Sequence, residues 1–141
     1  INFPQETLKY KSANCIELSV LFSSILLEAG IEPVIVIIPD HAFIGWQIWD
    51  HLHEYDFLET TVIGEKGRSF TDALQTGNKL AVDFGLEKFT NGNFRSNPFD
   101  SRGIYQKSPR VEVLHISSLR NYRDEKGRQV YTAVPLGYEV N

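Results

Sequence analysis

The chain has 141 residues, 42% hydrophobic and 23% charged, a balance that fits one compact domain and excludes a disordered or membrane-embedded composition. Its formal net charge of −4 argues against a nucleic-acid partner, which would call for a basic face. No apolar run approaches the roughly 18 residues of a membrane-spanning helix, because Glu17, Ser19, Ser23, Ser24 and Glu28 interrupt the densest stretch. A single cysteine rules out a disulfide within the chain. The chain begins at Ile1 and contains no Met, so residues 1–141 read as a single domain excerpted from a longer protein. The residues assign no compartment; the cytoplasm is favoured.

In chain order, the opening INFPQETLKYK is mixed and holds Pro4. Asn14 then offers a side-chain oxygen suited to an N-cap, and Glu17 stands three residues on, where a capping-box acid would be. This predicts a helix from Cys15 to about Ala29, ended by Gly30 in the left-handed conformation. Its apolar residues wrap most of the circumference, which predicts a central, buried helix. Residues 32–39 carry a β-branched run between prolines and read as a buried strand. His41 to Trp49 reads as a second strand and Tyr55 to Val62 as a third, antiparallel to it. Ser69 or Thr71 can cap a further helix running to about Phe84. Asn91 to Pro109 is rich in Asn, Ser and charge and reads as a long loop; such loops often border a site. Val111 to Ile116 and Val130 to Leu136 complete the strands.

A lone Cys is most often a small buried hydrophobe. Cys15 is set apart by its expected place at a helix start, where free N–H groups and the helix dipole would stabilise a thiolate and cradle an oxyanion. His41, directly after the Pro39-Asp40 turn, is the natural base for such a thiol. A carboxylate is then needed to hold the imidazole in its working tautomer. Glu59 and Asp56 both lie on the third strand, and parity separates them. Side chains alternate along strands, and any register with His41 and Glu59 on one face turns Asp56 to the other. A tight hairpin pairing Trp49 with Tyr55 leaves Glu59 opposite Gly45, roughly 13 Å along the strand from His41. Direct pairing of His41 with Glu59 needs a wider connection. His51 and His53 lie in a polar connection, and with Cys15 they form only a weak metal motif. His115 stands alone in a late strand.

The order of these pieces resembles the bacterial transglutaminase-like members of the papain-like superfamily. Cys15 opening a helix, Ala29-Gly30-Ile31, His41-Ala42-Phe43 and Glu59-Thr60-Thr61 match that pattern in sequence, over about residues 5 to 75. The resemblance implies an α+β, papain-like fold with a central buried helix packed on an antiparallel sheet. It also implies a Cys15–His41–Glu59 catalytic triad and a cysteine hydrolase or transferase needing no cofactor. Two departures are visible: Glu59 stands where the family has Asp, and the spacing from Cys15 to His41 is compact; the Gly usual before the Cys is also missing. The calcium sites of large animal transglutaminases have no counterpart, so no metal is expected.

The expected activity is acyl transfer on a protein or peptide substrate, at a peptide bond or side-chain amide. Water as acceptor gives a cysteine protease or amidase, and an amine gives a transglutaminase. Gln5, Tyr10 and Asn14 are the candidates for oxyanion or substrate contacts. An ion pair with His41 at the helix start would hold the Cys15 thiol below its free value of about 8.5. The 91–109 loop, with Phe94, Phe99 and Tyr105, is expected to pack along the groove beside Cys15. The rival is a catalytically inactive transglutaminase-like module used for binding.

Overall fold

A computed structural model describes residues 7–48, 53–63 and 65–129, of which residues 7–14 are described in backbone only. Helix α1 spans Thr7–Glu28 and is followed by β1 (Pro33–Ile38), β2 (His41–Gln47) and β3 (Tyr55–Leu58). Then come α2 (Thr60–Ile63), α3 (Phe70–Asp83) and α4 (Glu87–Asn91). Strands β4 (Ile104–Ser108) and β5 (Val111–His115) lead into α5 (Ile116–Asn121). The class is α+β: a five-stranded sheet in the order β3-β2-β1-β5-β4, every pairing antiparallel, with helices packed on it.

The sheet is buried on both faces, which is why β1 is β-branched nearly throughout. Val34, Val36 and Ile38 point to one side, where they meet Phe43, Tyr55, Phe57, Val113 and Phe89. Ile35 points to the other and joins Ala42, Ile44, Leu58, Val62, Ile116 and Cys15. Helix α1 covers this second face with Cys15, Ser19 and Ser23, buried residues spaced one turn apart. Their small side chains suit close approach of helix to sheet. Val20 is buried with them and Phe22, Leu26 and Leu27 pack against the same cluster, while Ile16 and Ile25 turn outward, 44% and 55% exposed. The helix is therefore a covering layer rather than the buried centre expected from its composition.

The start of α1 is also displaced from expectation. The helix begins at Thr7, so Cys15 and Asn14 lie in its interior and Asn14 is no N-cap. The physical reason is plain: 7–14 holds neither Gly nor Pro, and nothing in it stops a helix from extending. At the other end Gly30 has φ +80°, and its N–H donates to Leu27 O, as expected of a helix terminus.

Strand β3 ends at Leu58 rather than at Val62, because the chain turns into α2 immediately after Glu59. Strand β2 is described to Gln47; Trp49 and the candidate strand at Val130 to Leu136 lie outside the described residues. The polar stretch 91–109 is not one loop, since it contains β4 and pairs with β5. Phe94, Phe99 and Tyr105 pack around Phe89 and Tyr55, on the face of the sheet away from α1. This overturns the expectation that the stretch lies beside Cys15. Its aromatic rings are drawn into a core of their own kind, and its polar residues are merely the exposed remainder.

Helix α3 closes the open edge of β3. Ser69 caps it, accepting from Asp72 N–H while the Asp72 carboxylate accepts from Ser69 N–H. Asn78 Oδ1 accepts the Phe57 N–H at 2.9 Å, satisfying an edge-strand donor. Gly77 permits this approach: a Cβ there would lie 2.5 Å from the backbone of Phe57 and Leu58. Backbone cannot step aside as a flexible side chain can. Gly77→Ala is therefore expected to destabilise the protein by about 3 kcal/mol, read from the urea midpoint of unfolding. An unchanged midpoint would contradict this packing.

Candidate active site

Two elements of the sheet and one helix meet at His41. The two-residue turn Pro39-Asp40, with Asp40 at φ +59°, sets His41 directly opposite Ile38 at the first position of β2. From there, at the end of an interior strand, the ring reaches α1. Cys15 Sγ lies 3.2 Å from His41 Nδ1. On its other side His41 Nε2 meets Glu59 Oε1 in a short hydrogen bond. The Cys15 residue is 6% exposed, and the side chains of His41 and Glu59 are 24% and 5% exposed. The imidazole is thus the most open of the three.

The register explains why the acid is a glutamate. Ile44 pairs with Leu58 and Gly45 with Phe57. Continued by one residue, this register sets Glu59 opposite Phe43, two positions from His41 and roughly 7 Å along the strand. That lies between the tight hairpin and direct pairing, and the extra methylene of Glu spans the offset. Asp56 falls on the other side, opposite Trp46 and 3.4 Å from Asn78 Nδ2. Glu59 also serves as the turn residue that opens α2. Its Oε2 accepts the Thr61 N–H at 3.1 Å and the Thr61 hydroxyl at 2.5 Å. Sequence reasoning matched Thr61 to a motif and gave it no role. The available signal was a carboxylate two residues before a threonine at a helix start, the pattern of a side-chain cap.

The electrostatics follow from these contacts. Burial alone would raise the Glu59 carboxyl, but hydrogen bonds from His41 and Thr61 outweigh it and hold the group below its usual 4.5. An ionised Glu59 can only accept, so the proton on His41 resides on Nε2 and the Nδ1 lone pair faces Cys15. Cys15 behaves otherwise than expected. Burial pushes the thiol up from 9.0 and the Glu59 charge adds to this, while the Ala42 backbone beside the sulfur offsets part of it. Removed from the helix N-terminus, Cys15 gains no dipole stabilisation there. Its N–H falls within the helical ladder and is not free to serve an oxyanion. Burial and the Glu59 charge thus favour the thiol over the thiolate at Cys15, the reverse of what a place at a helix end would give.

Of the remaining candidates, Gln5 lies outside the described residues. Tyr10 and Asn14 belong to α1, and only their backbone is described. His51 lies outside the described residues as well. His53 and His115 line a small cleft with Gln47 and Tyr55, at the far end of β2 from His41. That end is roughly 20 Å from the start of the strand. A metal site joining Cys15 to His53 is therefore not formed, and among the described residues no group of three or more His, Cys, Asp or Glu could hold a metal ion. No helix among the described residues is long and apolar enough to cross a membrane.

A scan against protein-family models finds no match to the chain, and searches of curated proteins and of solved structures find none either.

Proposed function

We propose that this protein is a cysteine-dependent acyl-transfer enzyme acting on peptide or side-chain amides, built on a papain-like, transglutaminase-like plan. The observation that carries the reading is the Sγ–Nδ1 distance of 3.2 Å in line with the Nε2–Glu59 contact. Three groups drawn from α1, β2 and the end of β3 stand in the order nucleophile, base and orienting acid. Chance packing of a filler cysteine asks for no such order.

In this reading Sγ attacks the carbonyl carbon of the amide while its proton passes to Nδ1 of His41. Collapse of the tetrahedral intermediate breaks the C–N bond, and the amine leaves with the proton returned from Nδ1. A thioester on Cys15 remains. Water or a second amine then attacks it, giving up its proton to the same nitrogen. Glu59 stays ionised throughout and stabilises the imidazolium.

The reading is tested with an activated acyl ester and intact-mass measurement. The wild type should gain one acyl group on Cys15 within a turnover, and Cys15→Ala should gain none. Addition of a primary amine separates the acceptors by whether an amide product accumulates. Absence of acylation in the wild type would favour a second reading, a binding module that retains the fold. The specific observation on that side is the buried thiol held up by desolvation in a helix interior.

A further inference from the structure

We infer that Thr61 is a positioning residue of the Cys15–His41–Glu59 site, acting through Glu59; the inference rests on the acyl-transfer reading. The Glu59 carboxylate is divided between two partners. Oε1 accepts from His41, and Oε2 accepts from both the N–H and the hydroxyl of Thr61. The main chain of Glu59 is fixed as well: its N–H donates to Ala73 O at 3.0 Å, and its carbonyl accepts the Val62 N–H at 3.2 Å. With the backbone held, the remaining freedom is rotation of a long side chain, and Thr61 removes it.

The hydroxyl must donate, because an ionised carboxylate offers no proton. Its β-branched side chain has few alternative rotamers, so the donor is already aimed. Thr60, the adjacent residue, makes the contrast. Its hydroxyl is buried and finds no hydrogen-bond partner among the described residues. Of two neighbouring threonines, one is bonded to the acid and the other is not. The groups facing Glu59 are His41 from β2, Cys15 from α1 and Thr61 from α2, with the Ala73 carbonyl from α3. Thr61 is therefore the neutral group that decides where the charge of Glu59 points.

The test compares Thr61→Val, Thr61→Ser and the control Thr60→Val in the full chain. Two readouts are used: the His41 tautomer by nitrogen-15 NMR and the rate of Cys15 alkylation by iodoacetamide at neutral pH. In the wild type and in Thr60→Val, His41 should hold its proton on Nε2. Thr61→Val should raise the Nδ1–H share several-fold and slow alkylation roughly tenfold, the scale of one lost hydrogen bond to a charged group. Thr61→Ser should restore both. Should Thr61→Val fail to fold, Thr61→Ala removes the same hydroxyl and takes its place. A lowered melting temperature with unchanged tautomer and rate would overturn the inference, as would Thr61→Ser behaving like Thr61→Val. Alkylation indifferent to His41→Ala would instead overturn the acyl-transfer reading on which the inference rests.

Discussion

Glu59→Gln is expected to keep the fold and to lose roughly 10²- to 10⁴-fold in turnover. Gln has the shape of Glu but carries a donor where Glu has only acceptors. If its amide N–H₂ faces His41, Nε2 must become the acceptor and the ring proton moves to Nδ1. It then points at Cys15 and blocks the only path for the thiol proton. If the amide oxygen faces His41 instead, the N–H₂ confronts the Thr61 N–H, donor against donor, and only the Thr61 hydroxyl can turn to accept. Neither orientation satisfies both partners. The same variant has a signature in stability. Glu59 is held below its usual 4.5 in the folded protein. A depressed acid stabilises the fold in full above its unfolded value, and that contribution fades as pH falls from about 4.5 through the folded value. Thermal melts across this range should show the wild type losing stability that Glu59→Gln never had. Parallel curves, or full turnover in the variant, would show that Glu59 has no hold on His41.

Much of this arrangement was legible because it depends on short-range rules. The alternation of β2 and β3 assigns Glu59 to His41 and Asp56 to the reverse side in any even register. The structure pairs Asp56 with Trp46 accordingly. Of the two candidate caps Ser69 and Thr71, the structure uses Ser69, and Gly30 marks a helix end as expected. Features that depend on what lies further along the chain were not legible. Asn14 has the chemistry of a cap, yet 7–14 continues the helix through it. The start of a helix is set by the first residue that cannot join, not by the best cap within it. Glu59 reads as a strand residue until its carboxylate is seen taking the Thr61 N–H and hydroxyl at the start of α2. The stretch 91–109 looks polar by composition, but its three aromatics answer to Phe89 and Tyr55, distant in sequence. The exact pairing of β2 with β3 depended on a connection whose length alternation does not fix.

The displacement of Cys15 into the helix body changes what its chemistry needs. A thiolate at a helix N-terminus would be reactive with little help. A buried thiol pushed up by desolvation and by the Glu59 charge depends on its base. His41→Ala is therefore expected to have the other large effect. At neutral pH it should slow alkylation of Cys15 by about 10²-fold or more, the usual scale of a general base. At strongly alkaline pH the thiol ionises unaided, and the variant should approach the wild type. That convergence separates a lost base from a change in access to the sulfur.

The most direct measurement of the central claim is thus the rate of Cys15 alkylation in the wild type and in His41→Ala, followed from about pH 6 to pH 10. A functioning Cys15–His41–Glu59 relay predicts two profiles far apart at neutral pH that merge as the solution becomes alkaline. Two superimposed profiles, both tracking a simple buried thiol, would contradict it and leave Cys15 as core packing.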